Sequence, residues 1–243
     1  MNIIISGQAR AGKNYLAEQA GFDIYGFADP IYEIVEALYG SRDKSKPRIR
    51  PAMQRVGQWG RGQVDEQYPE TVERTLISEW IVCNGKRIVP EVNWQLWGRD
   101  DFWVQAMLSR VKGKDNVAIV NGRFLNEIEA FKEQGYMHVH VFAPDEDLRA
   151  RRNGADDPSG DISEQMAQSI DESIYARHYL AWEQDNYPKP ELIVYNPNET
   201  DKGGMETVTY LNSDPALPSA ILLEDAVERF KISDTSVDIL ATL

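Results

Sequence analysis

MNIIISGQARAGKNYLAEQA, residues 1–20, carries a short β-branched apolar run, Ile3–Ser6, into Gly7-Gln-Ala-Arg-Ala-Gly12-Lys13-Asn14, and a helix-forming segment leaves it. The spacing is G-x-x-x-x-G-K in a strand–loop–helix context, the Walker A arrangement. Gly7 and Gly12 let the backbone turn its N–H groups around a phosphate, the start of the helix adds its positive end, and Lys13 supplies a point charge for the β and γ oxygens. A glycine-rich turn with no ligand is the alternative. The candidate phosphate-binding residues are Gly7, Ala9, Arg10, Ala11, Gly12, Lys13, Asn14 and Tyr15. Asn14 stands where a Ser or Thr hydroxyl normally meets Mg²⁺. Its neutral amide oxygen can still meet the ion or a water of its shell, which makes Asn14 a weak metal candidate.

Length and composition bound the rest. With 243 residues, 42% hydrophobic and 10% aromatic, the chain can bury a full core as one large domain or one domain with embellishments. The net charge of −13 disfavours a broad duplex-DNA or anionic-membrane surface, which would reward a basic face. Local arginines can still hold a small anionic ligand. The single cysteine, Cys83, excludes an internal disulfide framework, and no Cys/His cluster has metal-ligand spacing. Met1-Asn2 runs straight into a strand, and no apolar run approaches a membrane span, so the expectation is a soluble, cytoplasmic protein.

Further along, Phe22–Phe27 reads as a second strand, and Asp29-Pro30 starts an apolar-periodic helix, Ile31–Tyr39, that Gly40 stops. Residues 41–50, SRDKSKPRIR, are locally basic: a solvated loop, or one that approaches an acceptor phosphate through Arg48 and Arg50. Pro51–Arg61 and Asp101–Val111 look helical. Asn84-Gly85 between ISEWIVC and KRIVPEV predicts a type I′ hairpin inside an insertion, residues 62–98. Asn116–Asn121 is a strand apolar enough to be central and parallel, Leu125–Gln134 a helix ended by Gly135, and Met137–Phe142 an alternating strand. Asp145–Arg152 reads as a charged helix, Asn153–Gly160 as a mobile loop, Ser163–Tyr179 as a helix and Glu191–Tyr195 as a strand. Residues 200–243 add a β-like piece, an amphipathic helix over Ala220–Phe230 and a polar tail. Strands separated by helices imply βαβ units and a parallel sheet covered on both faces, an α/β fold. Gln58-Trp-Gly-Arg61 and Leu96-Trp-Gly-Arg99 echo one another.

Several blocks, taken in order, resemble the phage deoxynucleoside monophosphate kinases of the adenylate-kinase-like group: GQARAGKN at 7–14, FADPIYEIVEALYG at 27–40, MQRVGQWGR at 53–61, GRDDFWVQAML at 98–108, VNGRFLNEIEAF at 120–131 and DISE at 161–164. The resemblance implies a three-layer P-loop NTPase fold over residues 1–200, with the insertion at 62–98, a lid at 145–165 and a C-terminal extension, 201–243, packed on the same domain. It implies ATP and Mg²⁺ as donor and cofactor, small nucleotides as partners, no membrane, and the host cytoplasm if the chain is phage-encoded. Polymeric nucleic acid is disfavoured by the acidic balance without being excluded, and a homodimer is left open.

Carried over residue by residue, Asp29 receives a sugar or base hydrogen bond in the acceptor site, although Asp-Pro is also an ordinary helix cap. Arg123 falls at the end of the central strand, beside the transferred phosphoryl. Asn121 occupies the place where this family has Asp, which weakens or relocates a magnesium contact. Asn126 and Glu127 orient the loop, or Glu127 complements the helix dipole. In LRARRNGADDPSG, Arg149, Arg151 and Arg152 precede a Gly/Pro-rich stretch, and Arg149 and Arg152 are candidates for closing on the developing charge. Solvated helix arginines are the alternative. Asp161-Ile-Ser-Glu164 has the form of a capping box. Arg61 and Arg99 are candidate grips on the acceptor phosphate. Trp59, Trp97 and Trp103 are candidates to stack on a base or simply core, and His138 and His140 read as structural. The expected reaction is transfer of the γ-phosphoryl of ATP to a deoxynucleoside monophosphate. Two rivals are a P-loop kinase for another acceptor, such as a hydroxymethylated base in phage DNA, and a non-catalytic nucleotide-binding protein.

Overall fold

The computed structural model describes residues 1–63, 72–144, 147–148, 189–197, 204–213, 218–232 and 239–240. These fall into two compact units, Met1–Tyr25 with Asp115–Leu243, and Gly26–Lys114.

The first unit is built on a parallel sheet. Its strands are β1 (Ile3–Ser6), β2 (Asp23–Gly26), β3 (Val117–Val120), β4 (Met137–Phe142), β5 (Leu192–Tyr195) and β6 (Ser219–Leu222), in the order β2-β3-β1-β4-β5-β6. β1, β3, β4 and β5 are buried along their whole length. This is why β3 and β5 read as continuous apolar runs, whereas β1 ends in Ser6 and β4 carries His138 and His140 into the interior. The β1 register is Ile4↔Ile119 on one side and Ile4↔His138 on the other. Alternation sorts the strand residues between two layers. Ile3, Ile5, Val120, Val139 and Val194 pack against Leu16 and Ala17 of α1 (Lys13–Gln19) and against Ala226, Val227 and Phe230 of a helix near the C-terminus. On the other face, Ile4 lies under Gly122 and Ile128 of a helix that follows β3, while Phe142, Ile193 and Tyr195 pack against Val208 and Leu211 of a helix before β6. The fold class is α/β, with six parallel strands among the described residues and helices on both faces. Such an arrangement is compatible with a P-loop-like fold.

In chain order the helices are α1, α2 (Asp29–Tyr39), α3 (Ile49–Gly60), α4 (Val72–Ile88), α5 (Phe102–Val111), α6 (Leu125–Glu133), α7 (Gly204–Asn212) and α8 (Leu223–Ile232). The expected stops hold: Gly40 ends α2 in the left-handed region at φ 68°, and Gly135 at φ 81° follows α6.

Two expectations are corrected. The hairpin at Asn84-Gly85 does not form, because α4 runs through both residues. A β-carbon on Gly85 would lie 2.2 Å from the Trp94 indole. Gly85 therefore serves as the flat spot on which Trp94 rests, and a type I′ turn, which needs φ > 0, has no place there. Asn84 donates from Nδ2 to the Trp80 carbonyl one turn back, at 2.8 Å. The second correction concerns Ala220–Phe230, whose first residues belong to β6, paired as Ile193↔Ala220 and Tyr195↔Leu222, so that the helix begins at Leu223. Asn212 covers the outer edge of that strand: its Nδ2 donates to the Ala220 carbonyl at 2.9 Å and its Oδ1 accepts from the Ala220 amide at 2.7 Å. The C-terminal segment thus contributes a strand and a helix to the sheet unit.

The second unit, Gly26–Lys114, is helical around Ile34, Val35, Val56, Ile81, Trp94, Phe102 and Trp103. Arg110 bonds both oxygens of Glu33 at 3.0 Å and also reaches Glu91, joining α2, α5 and the segment after α4. Burial alone would lower the Arg110 pKa, but its bonds to the two carboxylates outweigh burial and raise it. The expected insertion, 62–98, lies inside this unit. The expected lid, the helices over 145–152 and 163–179, and the DISE segment lie outside the described residues except for Asp147-Leu148.

Candidate phosphate site at the ends of β1 and β3

The strand order creates the location. From β1 the chain leaves toward β2, on one side, whereas from the adjacent β3 it crosses past β1 to β4, on the other. Neighbouring strands whose connections diverge leave a crevice at their carboxyl ends, where α/β sheets bind ligands. The loop after β1 is 7–12 and the loop after β3 is 121–124. They are joined at their roots, where the Gly122 amide donates to the Ile5 carbonyl at 3.2 Å.

The 7–12 loop is a tight turn with Gly7 at φ 130°, Arg10 at φ 69° and Gly12 at φ 112°. The glycines are needed twice over. A β-carbon on Gly7 would meet the Val141 carbonyl at 2.1 Å, and one on Gly12 would meet the Asn196 amide at 2.4 Å. Arg10, an exposed residue with a side chain in the left-handed region, costs about 1–2 kcal/mol that the surrounding turn imposes. Lys13, only 5% exposed, folds its ammonium back onto this turn and donates to the carbonyls of Gly7 at 2.7 Å and Gln8 at 2.6 Å. Gly12 is the N-cap of α1. Asn14 and Tyr15 are exposed in its first turn. Ala9 is half-buried and Ala11 fully buried in the turn.

Across the crevice, Glu127 settles the alternatives left open for it. Its carboxylate, 2% exposed, accepts from the Arg123 amide at 2.9 Å and the Phe124 amide at 3.1 Å. It clamps the backbone that carries Arg123, besides standing in the first turn of α6. Asn121 takes φ 65°, a conformation Asn tolerates better than most side chains. Arg123 is half-buried.

Two polar features escaped the sequence reading. The Ser6 hydroxyl, immediately before Gly7, lies 2.7 Å from His138 Nε2 and 2.8 Å from His140 Nδ1, all three residues fully buried. The signal was available: a serine ending an apolar strand, and two histidines two apart on a neighbouring one. Asn196, directly after β5, donates from Nδ2 to the Ala11 carbonyl at 2.5 Å. Its signal was a polar residue at the carboxyl end of a buried strand.

The remaining candidates sit in the helical unit. Asp29 is at the first position of α2 and accepts from the Gly26 amide at 2.7 Å, so its carboxylate tucks back against the end of β2. Arg48 is the exposed residue preceding α3, and Arg50 is half-buried in its first turn. In the same basic loop Lys44 is engaged with the Tyr32 hydroxyl at 2.6 Å, and Ser45 hydrogen bonds lower the Asp43 pKa. The two Trp-Gly-Arg echoes are brought together, since the Gly98 amide donates to the Gly60 carbonyl at 3.0 Å. Arg61 donates to the Gly57 carbonyl at 3.3 Å, and Arg99, 61% exposed, pairs with Asp101. Trp103 is corrected: at 1% exposure, with Nε1 on the Gly57 carbonyl at 2.8 Å and its indole against Gly60, it is core and offers no face to a base. Trp59 is likewise buried, and Trp97 packs on Trp94, Phe102 and Trp103. Arg149 and Arg152 lie outside the described residues.

Among the described residues there is no group of three or more His, Cys, Asp or Glu able to hold a metal ion, and no helix is long and apolar enough to cross a membrane. Comparison with protein-family models, curated proteins and solved structures found no match.

Proposed function

We propose that the chain is a P-loop kinase that moves the γ-phosphoryl of ATP to a deoxynucleoside monophosphate. The observation that carries the proposal is the 7–13 turn, a positive-φ loop between a buried strand and a helix start, with Lys13 folded onto its own carbonyls at a sheet switch point. The lysine is poised: its ammonium already donates charge-assisted bonds to two neutral carbonyls, and moving it to phosphate oxygens keeps those bonds and adds the attraction of a full opposite charge.

Phosphoryl transfer asks a protein for positioning and positive charge more than for covalent chemistry. Lys13 and the loop amides hold the donor. Arg123, on a backbone fixed by Glu127, faces the charge that develops on the transferred group. Asp29 with Arg48 and Arg50 receive the acceptor, and Arg61 and Arg99 are its further phosphate grips. The acceptor class rests on the ordered sequence blocks that resemble deoxynucleoside monophosphate kinases. Asn14, beside Lys13, is the residue that would meet a Mg²⁺ brought in with ATP, which would supply charge neutralisation for the phosphates.

Asn14 and Asn121, polar but uncharged at the two positions where a kinase of this kind uses a hydroxyl and a carboxylate, favour a second reading, nucleotide binding without transfer. One assay separates the readings. The protein is incubated with labelled ATP, Mg²⁺ and a panel of deoxynucleoside monophosphates, nucleosides and hydroxymethylated DNA. Label on a diphosphate product supports the proposal. Label on DNA supports another acceptor, and ATP binding without any labelled product supports the non-catalytic reading.

A further inference from the structure

Asn196 is the first residue beyond β5, and its backbone amide donates to the Phe142 carbonyl at 2.8 Å, which ties it to the end of β4. From this anchored position its side chain reaches the turn between β1 and α1 and donates to the Ala11 carbonyl at 2.5 Å. The orientation of the amide is set by chemistry, because a carbonyl oxygen can only accept. A trans peptide carries its C=O and N–H on opposite sides. Holding the Ala11 carbonyl toward Asn196 therefore turns the Gly12 N–H the other way. The fit is close, since a β-carbon on Gly12 would stand 2.4 Å from the same Asn196 Nδ2. Gly12 is thus a glycine both for its φ of 112° and for the approach of this one side chain.

We infer that Asn196 is a positioning residue of the phosphate loop, which fixes the Ala11–Gly12 peptide so that the Gly12 N–H is presented to the nucleotide phosphate. The inference rests on the proposed phosphate-binding role of the loop. It adds a residue from beyond β5, far along the chain from the Walker A pattern. It also makes the donor site dependent on the strand that leads to the β5–β6 connection.

The test compares the full chain with Asn196→Ala, which removes the donor, and with Asn196→Asp, nearly isosteric but unable to donate when ionised. Two quantities are read: ADP affinity by calorimetry, and the residual dipolar coupling of the Gly12 N–H, which reports the direction of that bond. Both variants should bind ADP about tenfold more weakly, the scale of one lost intramolecular hydrogen bond. The Gly12 coupling should move in both, and in turnover the KM for ATP should rise while that for the monophosphate stays put. A Gly12 coupling that is unchanged in both variants overturns the inference, whatever the affinity does. So does a moved coupling with unaltered ADP affinity. Wild-type protein that does not bind ADP overturns the phosphate-loop reading itself, and the Gly12 coupling then still decides whether Asn196 sets the peptide.

Discussion

Replacing Glu127 tests whether the loop that carries Arg123 is held by one buried carboxylate. Glu127 Oε2 accepts two backbone amides, from Arg123 at 2.9 Å and from Phe124 at 3.1 Å. A hydrogen bond to a charged group contributes about 1.5–3 kcal/mol. The two amides are only part-buried, so water can recover some of the loss. Glu127→Ala is therefore expected to cost about 3 kcal/mol, near the lower end for two bonds. Glu127→Gln keeps an oxygen in place but loses the charge assistance, and about half of that cost is expected. For a chain of this size each kcal/mol shifts the midpoint by about 2–4 °C, so Ala lowers Tm by about 6–12 °C and Gln by about half as much. Scanning calorimetry of the three proteins reads the order wild type, Gln, Ala. The kinase assay should follow the same order in kcat, because Arg123 loses its footing while the donor loop is untouched. An Ala variant that melts within about 1 °C of wild type refutes the clamp, and equal Gln and Ala losses refute the role assigned to the oxygen.

Three further outcomes are expected. Arg123→Lys keeps the charge and loses the planar fork, so kcat should fall by about 10²-fold with the acceptor KM little changed; a change confined to KM reassigns Arg123 to acceptor binding. Gly85→Ala, which in an open helix would stabilise by about 0.5–1 kcal/mol, should instead destabilise the helical unit by about 2 kcal/mol or more in denaturant titrations, because the added methyl displaces Trp94. Stabilisation by that variant would refute the packing of Trp94 on α4. Arg110→Ala should destabilise the same unit by about 3 kcal/mol, since it leaves Glu33 and Glu91 facing one another without their shared cation; a neutral outcome in the same titration would reduce this trio to surface charge.

What could be read in advance is what local chemistry decides. The β1–loop–α1 passage was legible because glycine, lysine and an apolar run each impose a conformation without help from distant residues. The same holds for the stop of α2 at Gly40 and for β3 and β5, whose burial on both faces writes itself as uninterrupted apolar residues, while β4 was legible from its alternation. The failures share one cause. Asn84-Gly85 is a strong turn signal taken alone, yet the indole of Trp94 needs a glycine on a helix face, and that partner is invisible to a local pattern. Ala220–Leu222 continues the periodicity of α8, but an open sheet edge at β5 and the side chain of Asn212 draw it into a strand. Trp103 reads in the sequence as a ring to stack on a base or simply core, and its burial, with Nε1 on the Gly57 carbonyl, makes it core. For the candidate site, the loop pattern was readable and Glu127 was already a candidate to orient the 121–124 loop, whereas Asn196, which acts on a backbone carbonyl, and Ser6, which meets two histidine rings, have partners whose positions only the fold supplies.

In the proposed reaction the turn bearing Lys13 binds the nucleotide whose phosphoryl is transferred. This assignment is tested most directly by the initial rate of diphosphate formation from Mg-ATP and a deoxynucleoside monophosphate, with wild-type and Lys13→Ala proteins side by side and folding checked by circular dichroism. The folded variant is expected to lose at least about 10²-fold in rate, the scale of removing one preorganised donor. A folded Lys13→Ala protein that turns over at the wild-type rate would contradict the assignment.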